Sequence, residues 1–382
     1  MRAYRTQQFI RPDLQAHIFS ENLLGNVRKL KGLCPERTRF CAVVKANAYG
    51  HGISEIVNIL NQGSVDMFAV ATFYEALHVV TISQRHPVFI LEPVNPAQSV
   101  EEIQVCAQKG FHCVLSSAES LKFIREALKN TSSVLKVHLN IETGMGRTGV
   151  EPEPARQLLE QIADFPTLKL AGIYTHFATA DEEDLSYAHQ QHERFEAFLE
   201  QHKLRDRDIL IHAANSAATI KMPQAHYDMV RCGISMYGYY SRQMENPPVQ
   251  LTPVMKLTAP ITHIKSIPAG QSVSYGQSFT TKRDTLAAVV PLGYADGYRR
   301  CFSNTAMMKI GSHAAPVIGR VCMDQIILDV TGIPDMRLGR MVTVLDNEHD
   351  SPCSAYTLAG LGDTICYEIL TSIHAHVNRI VH

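Results

Sequence analysis

Apolar, strand-like runs alternate with amphipathic stretches through the first two thirds of this 382-residue chain. Eight runs are apolar enough for strands that are buried on both faces of a parallel sheet. They cover residues 41–44, 67–72, 87–94, 111–117, 134–142, 168–177, 209–215 and 229–234. Because parallel strands need a crossover connection, usually a helix, this order predicts an α/β fold. Eight strand–helix units in about 230 residues match a (β/α)8 TIM barrel.

An open, doubly wound sheet is the alternative arrangement of alternating strands and helices. Such a sheet usually stops at about six strands, and a dinucleotide-binding one carries a Gly-x-Gly-x-x-Gly turn after its first strand. Here the first run is followed by KANAYGHG, which lacks that fingerprint. The sequence therefore favours the barrel.

The stretches between the runs have the periodicity of amphipathic helices. Residues 99–110 (SVEEIQVCAQKG) and 118–130 (AESLKFIREALKN) place apolar residues near positions i, i+3, i+4 and i+7, with Gly110 as a candidate C-terminal cap. A third helix is predicted through residues 186–201, opened by the acidic run 181–184. Acidic charges there complement the helix dipole, which explains the run without a metal site.

The character of the sequence changes near residue 245. A link with prolines at 247, 248 and 253 is followed by short β-type runs separated by glycine and proline. We therefore predict a barrel over residues 12–245 and a mostly β domain over residues 246–382. Residues 1–11 are candidates to pack with the second domain, a point that the sequence leaves open.

Charge and hydropathy exclude several classes of partner. The formal net charge is -1 and the pI is about 7.0, whereas nucleic acids and anionic membranes attract basic surfaces. The N-terminal residues lack the apolar core of a signal peptide, and no apolar run approaches membrane-spanning length. We therefore expect a cytoplasmic protein that binds neither nucleic acid nor membrane.

Cysteine and histidine usage predicts no metal site. The nine cysteines are scattered singly without a Cys-x-x-Cys pair, which indicates free thiols in a reducing compartment. His189 with His192, and His374 with His376, have no cysteine or acidic partners at zinc-type spacing.

The run CAVVKANAYGHG (41–52) ends a predicted strand on Lys45. Ligands bind at the carboxyl ends of parallel strands, so a lysine there can be reactive. From this stretch alone, a lysine whose amine extends into solvent is the simpler interpretation. VVKANAYGHG resembles the lysine motif of the alanine racemases, in which the lysine forms a Schiff base with pyridoxal 5'-phosphate. The resemblance implies that Lys45 holds the cofactor and is catalytic, and that Tyr49 helps bind the cofactor phosphate.

Two later segments are similar to cofactor-binding elements of the same family. HAANSAAT (212–219) places small polar residues at a helix start, where backbone N–H groups bind phosphate, although an ordinary helix cap has the same pattern. RCGI (231–234) follows it. The resemblance assigns Asn215 and Ser216 to cofactor binding, Arg231 to the pyridine nitrogen, and the backbone amides of Gly233 and Ile234 to the phosphate.

Two aromatic residues complete the implied cofactor site. His176, in GIYTHFATAD (172–181), is similar to the family histidine that packs on the cofactor ring, although a buried structural histidine is the alternative. Tyr367, in TICYEI, resembles the tyrosine that buttresses the cofactor and narrows the side-chain pocket.

The run NIETGMGRTG (140–149) surrounds Arg147 with three glycines. A guanidinium suits a carboxylate or a phenolate, and the resemblance implies that Arg147 contacts the cofactor oxygen and the substrate. Many family members carry a carbamylated lysine where this chain has Asn140. Because an amide cannot be carbamylated, we expect either that Asn140 orients Arg147 through its amide oxygen or that a bound anion such as chloride fills the gap between them.

The second domain supplies further matches. Tyr275, in QSVSYGQSF, resembles the racemase tyrosine that acts from the neighbouring subunit as the second acid/base, on the face from which L-alanine loses its proton. Tyr294, in GYADGYRR, corresponds to the site entrance, and Met323, in GRVCMDQ, to a backbone amide that meets the substrate carboxylate. The resemblance therefore implies a homodimer with shared active sites.

Together these motifs imply a racemase that interconverts L-alanine and D-alanine by a two-base mechanism and supplies D-alanine for peptidoglycan. One alternative is a racemase that accepts serine or other small amino acids. A decarboxylase of the same fold would require an acidic partner for the pyridine nitrogen, where this chain offers Arg231. A non-catalytic cofactor carrier is the remaining alternative, since a lone barrel without a second base would suffice for it.

Overall fold

The computed structural model describes residues 10–63, 65–244 and 246–382. Residues 1–9, most of the segment considered for packing against the second domain, lie outside the described residues, as does residue 245 at the predicted domain boundary. The strands are β1 (Arg11–Ile18), β2 (Arg39–Val43), β3 (Met67–Val70), β4 (Val88–Pro93), β5 (His112–Leu115), β6 (Leu135–Asn140), β7 (Leu168–Tyr174), β8 (Leu210–His212), β9 (Met229–Cys232), β10 (Met255–Pro260), β11 (His263–Ile267), β12 (Ser272–Val273), β13 (Phe279–Thr280), β14 (Thr285–Val290), β15 (Met307–Ile310), β16 (His313–Pro316), β17 (Ile326–Asp329), β18 (Met341–Leu345) and β19 (Val377–Val381). The helices are α1 (Ser20–Lys31), α2 (Lys45–Tyr49), α3 (Ile53–Leu60), α4 (Phe73–Ile82), α5 (Val100–Lys109), α6 (Ala118–Leu128), α7 (Pro152–Ala163), α8 (Ser186–Gln201), α9 (Ser216–Lys221), α10 (Ala355–Leu361) and α11 (Cys366–Thr371).

Strands β2 to β9 form one parallel sheet in the order β8-β7-β6-β5-β4-β3-β2-β9. Two backbone hydrogen bonds bring its two edges together: Asp228 N donates to Ile211 O at 3.0 Å, and Arg231 N donates to Ala214 O at 2.9 Å. The eight strands correspond to the eight predicted apolar runs, and the sheet closes on itself. The predicted TIM barrel is therefore confirmed.

The helices around the barrel begin and end much as the sequence predicts. The Ser99 hydroxyl caps α5 by accepting from Glu102 N at 3.1 Å, and Gly110 ends this helix with a left-handed φ of 68°. Helix α8 begins at Ser186, so the acidic run 181–184 forms the turn before the helix instead of opening it. The Asp184 carboxylate still lies at the helix start, where it accepts from Ser186 N at 2.9 Å.

The rest of the chain is mostly β, as predicted. A six-stranded sheet has the order β16-β15-β18-β10-β1-β19, and smaller sheets contain β11-β14-β17 and β12-β13. Strand β1, near the start of the chain, pairs antiparallel with β10 and parallel with β19. The two ends of the described chain therefore meet in this sheet, while the boundaries at residues 12, 245 and 246 stay a prediction.

Helix α11 of the β part packs against the turn that follows Lys45. A Cβ built on Gly50 would lie 2.0 Å from Leu370 O, so only glycine permits this approach. Arg379 Nη2 donates to Gly50 O at 2.7 Å from the last strand. The β part thus holds the segment that contains the predicted catalytic lysine.

Candidate active site

A cavity of about 400 Å³ lies at the carboxyl ends of the barrel strands. Ten of the predicted site residues line it: Lys45, Tyr49, Arg147, His176, Asn215, Ser216, Arg231, Gly233, Ile234 and Tyr367. Other lining residues were not predicted from the sequence, among them Ala71, Leu91, Glu92, Pro93, Thr148, Tyr174, Ala217 and Ser241. The structure therefore brings together residues from motifs that are far apart in the chain.

Lys45 lies two residues after the end of β2, and its amine is largely withdrawn from solvent. Burial lowers the pKa of Lys45, and the positive charge of Arg147 lowers it further, while Glu75 acts in the opposite direction. Glu75 also accepts hydrogen bonds of 2.7 Å from Ala46 N and from Ala71 N. One carboxylate thus ties the residue after Lys45 to the end of the neighbouring strand β3.

The turn after Lys45 has an unusual backbone. Ala46, Asn47, Ala48 and Tyr49 all have a left-handed φ of 53°, a conformation that costs L-residues roughly 1–2 kcal/mol each. The Asn47 side chain stabilises the turn by accepting from Ile53 N at 2.8 Å. Such strain persists only where the surroundings over-determine it, which is common at functional sites. Here it places Lys45 and Tyr49 in the same cavity.

The start of α9 meets the segment after β9 at the Ser216 hydroxyl. The Ser216 hydroxyl accepts hydrogen bonds from Gly233 N at 2.9 Å and from Ser235 N at 3.4 Å. A Cβ on Gly233 would lie 2.4 Å from the Tyr49 hydroxyl, so glycine is needed for the tyrosine to reach this point. Asn215 caps α9 by accepting from Ala218 N at 3.0 Å.

Arg231 is a buried cation, with 4% of its surface exposed. Burial lowers its pKa, and the guanidinium is satisfied without a carboxylate. Its Nη1 donates to Nδ1 of His212 at 2.7 Å, and its Nη2 donates to the carbonyl oxygens of Thr175 at 2.9 Å and Ala213 at 3.0 Å. Nη2 also lies 3.3 Å from Nδ1 of His176. The charge of Arg231 is therefore not neutralised by a hydrogen-bonded acid.

His176 lies beside this cation and is held neutral. Burial, together with the positive charges of Arg231, Arg147 and Lys45, lowers the pKa of His176 to about 3. A neutral imidazole offers a flat, uncharged face, which suits contact with an aromatic ring. Its location agrees with the predicted ring-packing role, which stays a prediction.

Tyr367 closes another side of the cavity. Its hydroxyl lies 2.8 Å from that of Ser241, and its ring centroid lies 6.0 Å from that of Tyr49. Burial raises the pKa of Tyr367 well above its ordinary value, so the hydroxyl stays protonated. The side chain can therefore pack and donate a hydrogen bond, as the predicted buttress requires.

Arg147 lines the cavity from the glycine-rich loop after β6. Its guanidinium has no hydrogen-bond or ion-pair partner among residues 10–63, 65–244 and 246–382. Asn140 does not supply one: its amide oxygen accepts no hydrogen bond from Arg147, and its amide nitrogen donates to the Thr148 hydroxyl at 3.1 Å. The guanidinium is thus available for an anionic ligand.

The remaining predicted residues do not line this cavity. Tyr275 is 70% exposed, Met323 57% and Tyr294 42%. They belong to one surface of the β part: the Ser274 hydroxyl donates to Arg320 O at 2.8 Å, and Tyr294 N donates to Cys322 O at 3.1 Å. The structure therefore places these three residues near one another but not with Lys45 of the same chain.

The residues of the cavity fit pyridoxal phosphate. Lys45, Arg147 and Arg231 are cationic, and the acidic residue of the lining, Glu92, is exposed, so the site favours an anion. The close approach at Gly233 forms a cradle that a larger residue would fill. Within the described ranges, no group of three or more His, Cys, Asp or Glu residues is arranged to hold a metal ion.

Two family models match nearly the whole chain. The model of the alanine racemase N-terminal domain matches residues 18–241, and that of the C-terminal domain matches residues 254–381. An alanine racemase of Carboxydothermus hydrogenoformans is 37% identical over 367 residues, which cover 96% of this chain and 98% of the relative. One of Desulfosudis oleivorans is 35% identical over 376 residues, with 96% and 95% covered.

Solved structures agree with these matches. An alanine racemase of Clostridium difficile 630 superposes with a TM-score of 0.90 at 31% identity, over 98% of this chain and 96% of that one. One from Bacillus anthracis, described with bound L-Ala-P, gives a TM-score of 0.90 at 31% identity over 97% and 95%. One from Bartonella henselae, described with covalently bound pyridoxal phosphate, gives 0.85 at 26% identity over 97% and 100%. This chain therefore belongs to the alanine racemase family.

Proposed function

We propose that this protein is a pyridoxal-phosphate-dependent racemase that interconverts L-alanine and D-alanine. The observation that carries the proposal is Arg231, a buried cation that lines the same cavity as Lys45. When bound, the cofactor supplies an aldehyde and an electron-withdrawing pyridine ring that acidifies the α-carbon of an amino acid. A permanent charge beside the pyridine nitrogen disfavours a second positive charge there. This arrangement suits removal and return of a proton better than decarboxylation or transamination.

The cavity residues divide into groups that hold different parts of the cofactor. Lys45 would hold the aldehyde carbon through Nζ, and Arg231 would face the pyridine nitrogen. His176 and Tyr367 would pack against the ring. The phosphate would be bound by the Tyr49 hydroxyl and by the segments that contain Asn215, Ser216, Gly233 and Ile234.

Arg147 would bind the substrate. Its guanidinium reaches the cavity and has no protein acceptor of its own in the described structure, so a substrate carboxylate or the cofactor phenolate would satisfy it. The backbone N–H of Met323 of the partner subunit would meet the other side of the carboxylate. Two contacts to one carboxylate would fix the orientation of the α-carbon.

Inversion requires a proton donor or acceptor on each face of the α-carbon. Lys45 suits one face because burial and the charge of Arg147 lower the pKa of its amine, which increases the neutral fraction that can accept a proton at Nζ. The opposite face would be served by the hydroxyl of Tyr275 of the partner subunit. One group cannot serve both faces, since they lie on opposite sides of the cofactor plane.

A homodimer follows from this assignment. Tyr275, Tyr294 and Met323 are exposed on one surface of the β part, and none of them lines the cavity of their own chain. In a dimer this surface would complete the cavity of the neighbouring chain. We further propose a cytoplasmic protein that supplies D-alanine for peptidoglycan, in agreement with the absence of disulfides among its nine cysteines. None of the helices in the described ranges combines the length and apolar character that crossing a membrane requires.

The test is to incubate the purified protein with pyridoxal phosphate and L-alanine while optical rotation and carbon dioxide are followed. A racemase brings the rotation to zero without gas release. Carbon dioxide release would instead indicate the decarboxylase alternative, which requires an acidic partner for the pyridine nitrogen. A parallel reaction with L-serine measures breadth of specificity. The Lys45→Ala variant, which lacks the amine, is the control.

A further inference from the structure

The carboxylate of Glu142 lies inside the glycine-rich loop that carries Arg147. Its Oε1 accepts a hydrogen bond of 2.6 Å from Gly144 N, and its Oε2 accepts one of 3.0 Å from Gly146 N. Successive backbone N–H groups that converge in this way form a nest, a concavity that usually binds a free anion. Here a side chain of the same loop fills it.

The glycines of the loop are required by this geometry. Gly144 and Gly146 have positive φ values of 135° and 64°, which turn their N–H groups inward. A Cβ on Gly149 would lie 2.6 Å from the Cα of Glu142. The base of the loop is closed by backbone pairing, since Glu142 N donates to Val150 O at 2.9 Å. The loop therefore wraps closely around Glu142.

The charge of Glu142 is stabilised by this enclosure. Burial raises the pKa of Glu142, but hydrogen bonds from the backbone N–H groups of Gly146, Gly144, Met145 and Arg147 outweigh it, and the pKa lies below its ordinary value. The carboxylate thus interacts with the backbone of Arg147 itself. An ionised acceptor makes stronger hydrogen bonds than a neutral one.

Other side chains hold the two ends of the loop, and the Asn140 amide nitrogen, which donates to the Thr148 hydroxyl at 3.1 Å, holds the far end. The Tyr187 hydroxyl donates to Gly144 O at 2.9 Å, and Arg194 Nη1 donates to Thr143 O at 2.8 Å. The Arg147 guanidinium has no side-chain partner in the described part of the chain, so the direction in which it points depends on its backbone. Glu142 is the side chain that reaches Gly146, the residue immediately before Arg147.

We propose that Glu142 is a positioning residue for Arg147. By filling the nest, its carboxylate orders residues 144–147 and directs the guanidinium into the cavity. Only one part of this proposal rests on the proposed function, namely that the ligand of Arg147 is the alanine carboxylate or the cofactor phenolate. It also explains how Arg147 is held in a chain that has Asn140 where many relatives have a carbamylated lysine.

The test uses trypsin, which cleaves after an exposed arginine in a mobile segment. Glu142→Ala empties the nest, and Glu142→Gln keeps its shape but turns an NH₂ group toward N–H donors. We expect cleavage after Arg147 to be faster in both variants, by about tenfold or more in Glu142→Ala, because loops open more often when charge-assisted hydrogen bonds are lost. Glu153→Gln, at an exposed glutamate on α7, is the matched control and should behave as the wild type.

Added formate should restore protection to Glu142→Ala by binding in the emptied nest, whereas chloride at equal ionic strength tests for a simple salt effect. In steady-state assays the KM for alanine should rise by about tenfold with a smaller change in kcat, as expected when a substrate contact is misplaced. Cleavage after Arg147 in Glu142→Gln at the wild-type rate would overturn the proposal, whatever happens to Glu142→Ala. Proteolysis does not depend on catalysis by the protein. The cleavage rates can therefore be interpreted even if the proposed racemase activity is not found.

Discussion

The side-chain amide nitrogen of Asn140 donates a hydrogen bond to the Thr148 hydroxyl at 3.1 Å, while the amide oxygen accepts none from Arg147 among the described residues. The predicted alternative in which the amide oxygen of Asn140 orients the guanidinium is therefore not observed in the described structure. A bound anion such as chloride between the two residues stays a prediction, since the Arg147 guanidinium has no acceptor among the described residues.

Activity should not depend on bicarbonate. Asn140 cannot be carbamylated, so racemisation rates in buffer depleted of carbon dioxide should equal those with added bicarbonate. Asn140→Lys is the matched variant, since it introduces an amine that can be carbamylated and should make the rate respond to bicarbonate. A strong bicarbonate requirement of the unmodified protein would contradict the prediction.

Lys45→Ala should abolish the covalent bond to the cofactor, because no other residue is proposed to bond the aldehyde carbon. The visible absorbance of the purified protein and mass spectrometry after borohydride reduction both report that bond. Lys109→Ala, at an exposed lysine on α5, is the control and should retain both signals. A borohydride-reducible adduct in Lys45→Ala would show that the anchor is another residue.

Three histidines continue from Arg231 through the barrel interior. Nε2 of His212 lies 2.8 Å from Nδ1 of His138, and Nε2 of His138 lies 2.8 Å from Nδ1 of His112. Arginine only donates hydrogen bonds, so His212 must accept at Nδ1 and carry its proton on Nε2. For the same reason His138 accepts at Nδ1 from His212, and His112 accepts at Nδ1 from His138. All three imidazoles are therefore neutral Nε2–H tautomers in the folded protein.

The three buried, neutral imidazoles predict that the free energy of unfolding falls in acid. Burial, with the positive charges of Lys136, Arg39 and Lys169, lowers the pKa of His112 from 6.5 to about 4. Between these values the unfolded chain binds a proton that the folded chain does not. The free energy of unfolding therefore falls as pH falls through this window, by about 1.4 kcal/mol per pH unit for this histidine.

Urea unfolding at several pH values between 6.5 and 4 measures this slope. His112→Leu should reduce it by about 1.4 kcal/mol per pH unit, because the substituted residue no longer titrates in either state. Gln190→Leu, at an exposed position on α8, controls for the added leucine and should leave the slope unchanged, because glutamine does not titrate. An unaltered slope in His112→Leu would mean that this imidazole is already charged in the folded protein.

The sequence predicts the barrel because each strand is a local apolar run, but features that join distant parts of the chain are harder to read. Strand β1 was not assigned to the C-terminal sheet, since its partners β10 and β19 lie more than 200 residues away. The left-handed turn after Lys45 contradicts local preference, because it is stabilised by tertiary contacts. His112, His138 and His212 each interrupt an apolar run, which was a usable signal, yet spacing alone does not show that they touch.

The residues that line the cavity were easier to predict from the sequence than the contribution of the partner subunit. Motif resemblance identified ten residues that line one cavity. It did not indicate Ser241, nor Thr148 and Tyr174, although these two lie inside the motifs 140–149 and 172–181. Glu142 lies within the motif 140–149, but its role depends on the three-dimensional path of the glycine loop. The partner subunit's contribution stays a prediction for the same reason.

Tyr275→Phe should retain the fold and the cofactor, since it removes only an exposed hydroxyl, but should lose most racemisation. A general acid or base typically contributes about 10²- to 10⁴-fold to the rate. Removal of the proton from L-alanine should be affected more than removal from D-alanine, because the family resemblance assigns this tyrosine to the L face. Hydrogen exchange from each enantiomer in deuterated water measures the two separately.

Mixing inactive Lys45→Ala and Tyr275→Phe chains tests whether each site is shared between subunits. If Tyr275 serves the cavity of the neighbouring chain, one site of the heterodimer carries both lesions and the other carries neither. Random subunit exchange should then restore about a quarter of the wild-type activity, since half of the dimers are mixed and each has one intact site. Differently tagged chains, purified over both tags, establish that heterodimers are present. An inactive mixture of proven heterodimers would show that Tyr275 acts within its own chain or is not the second base.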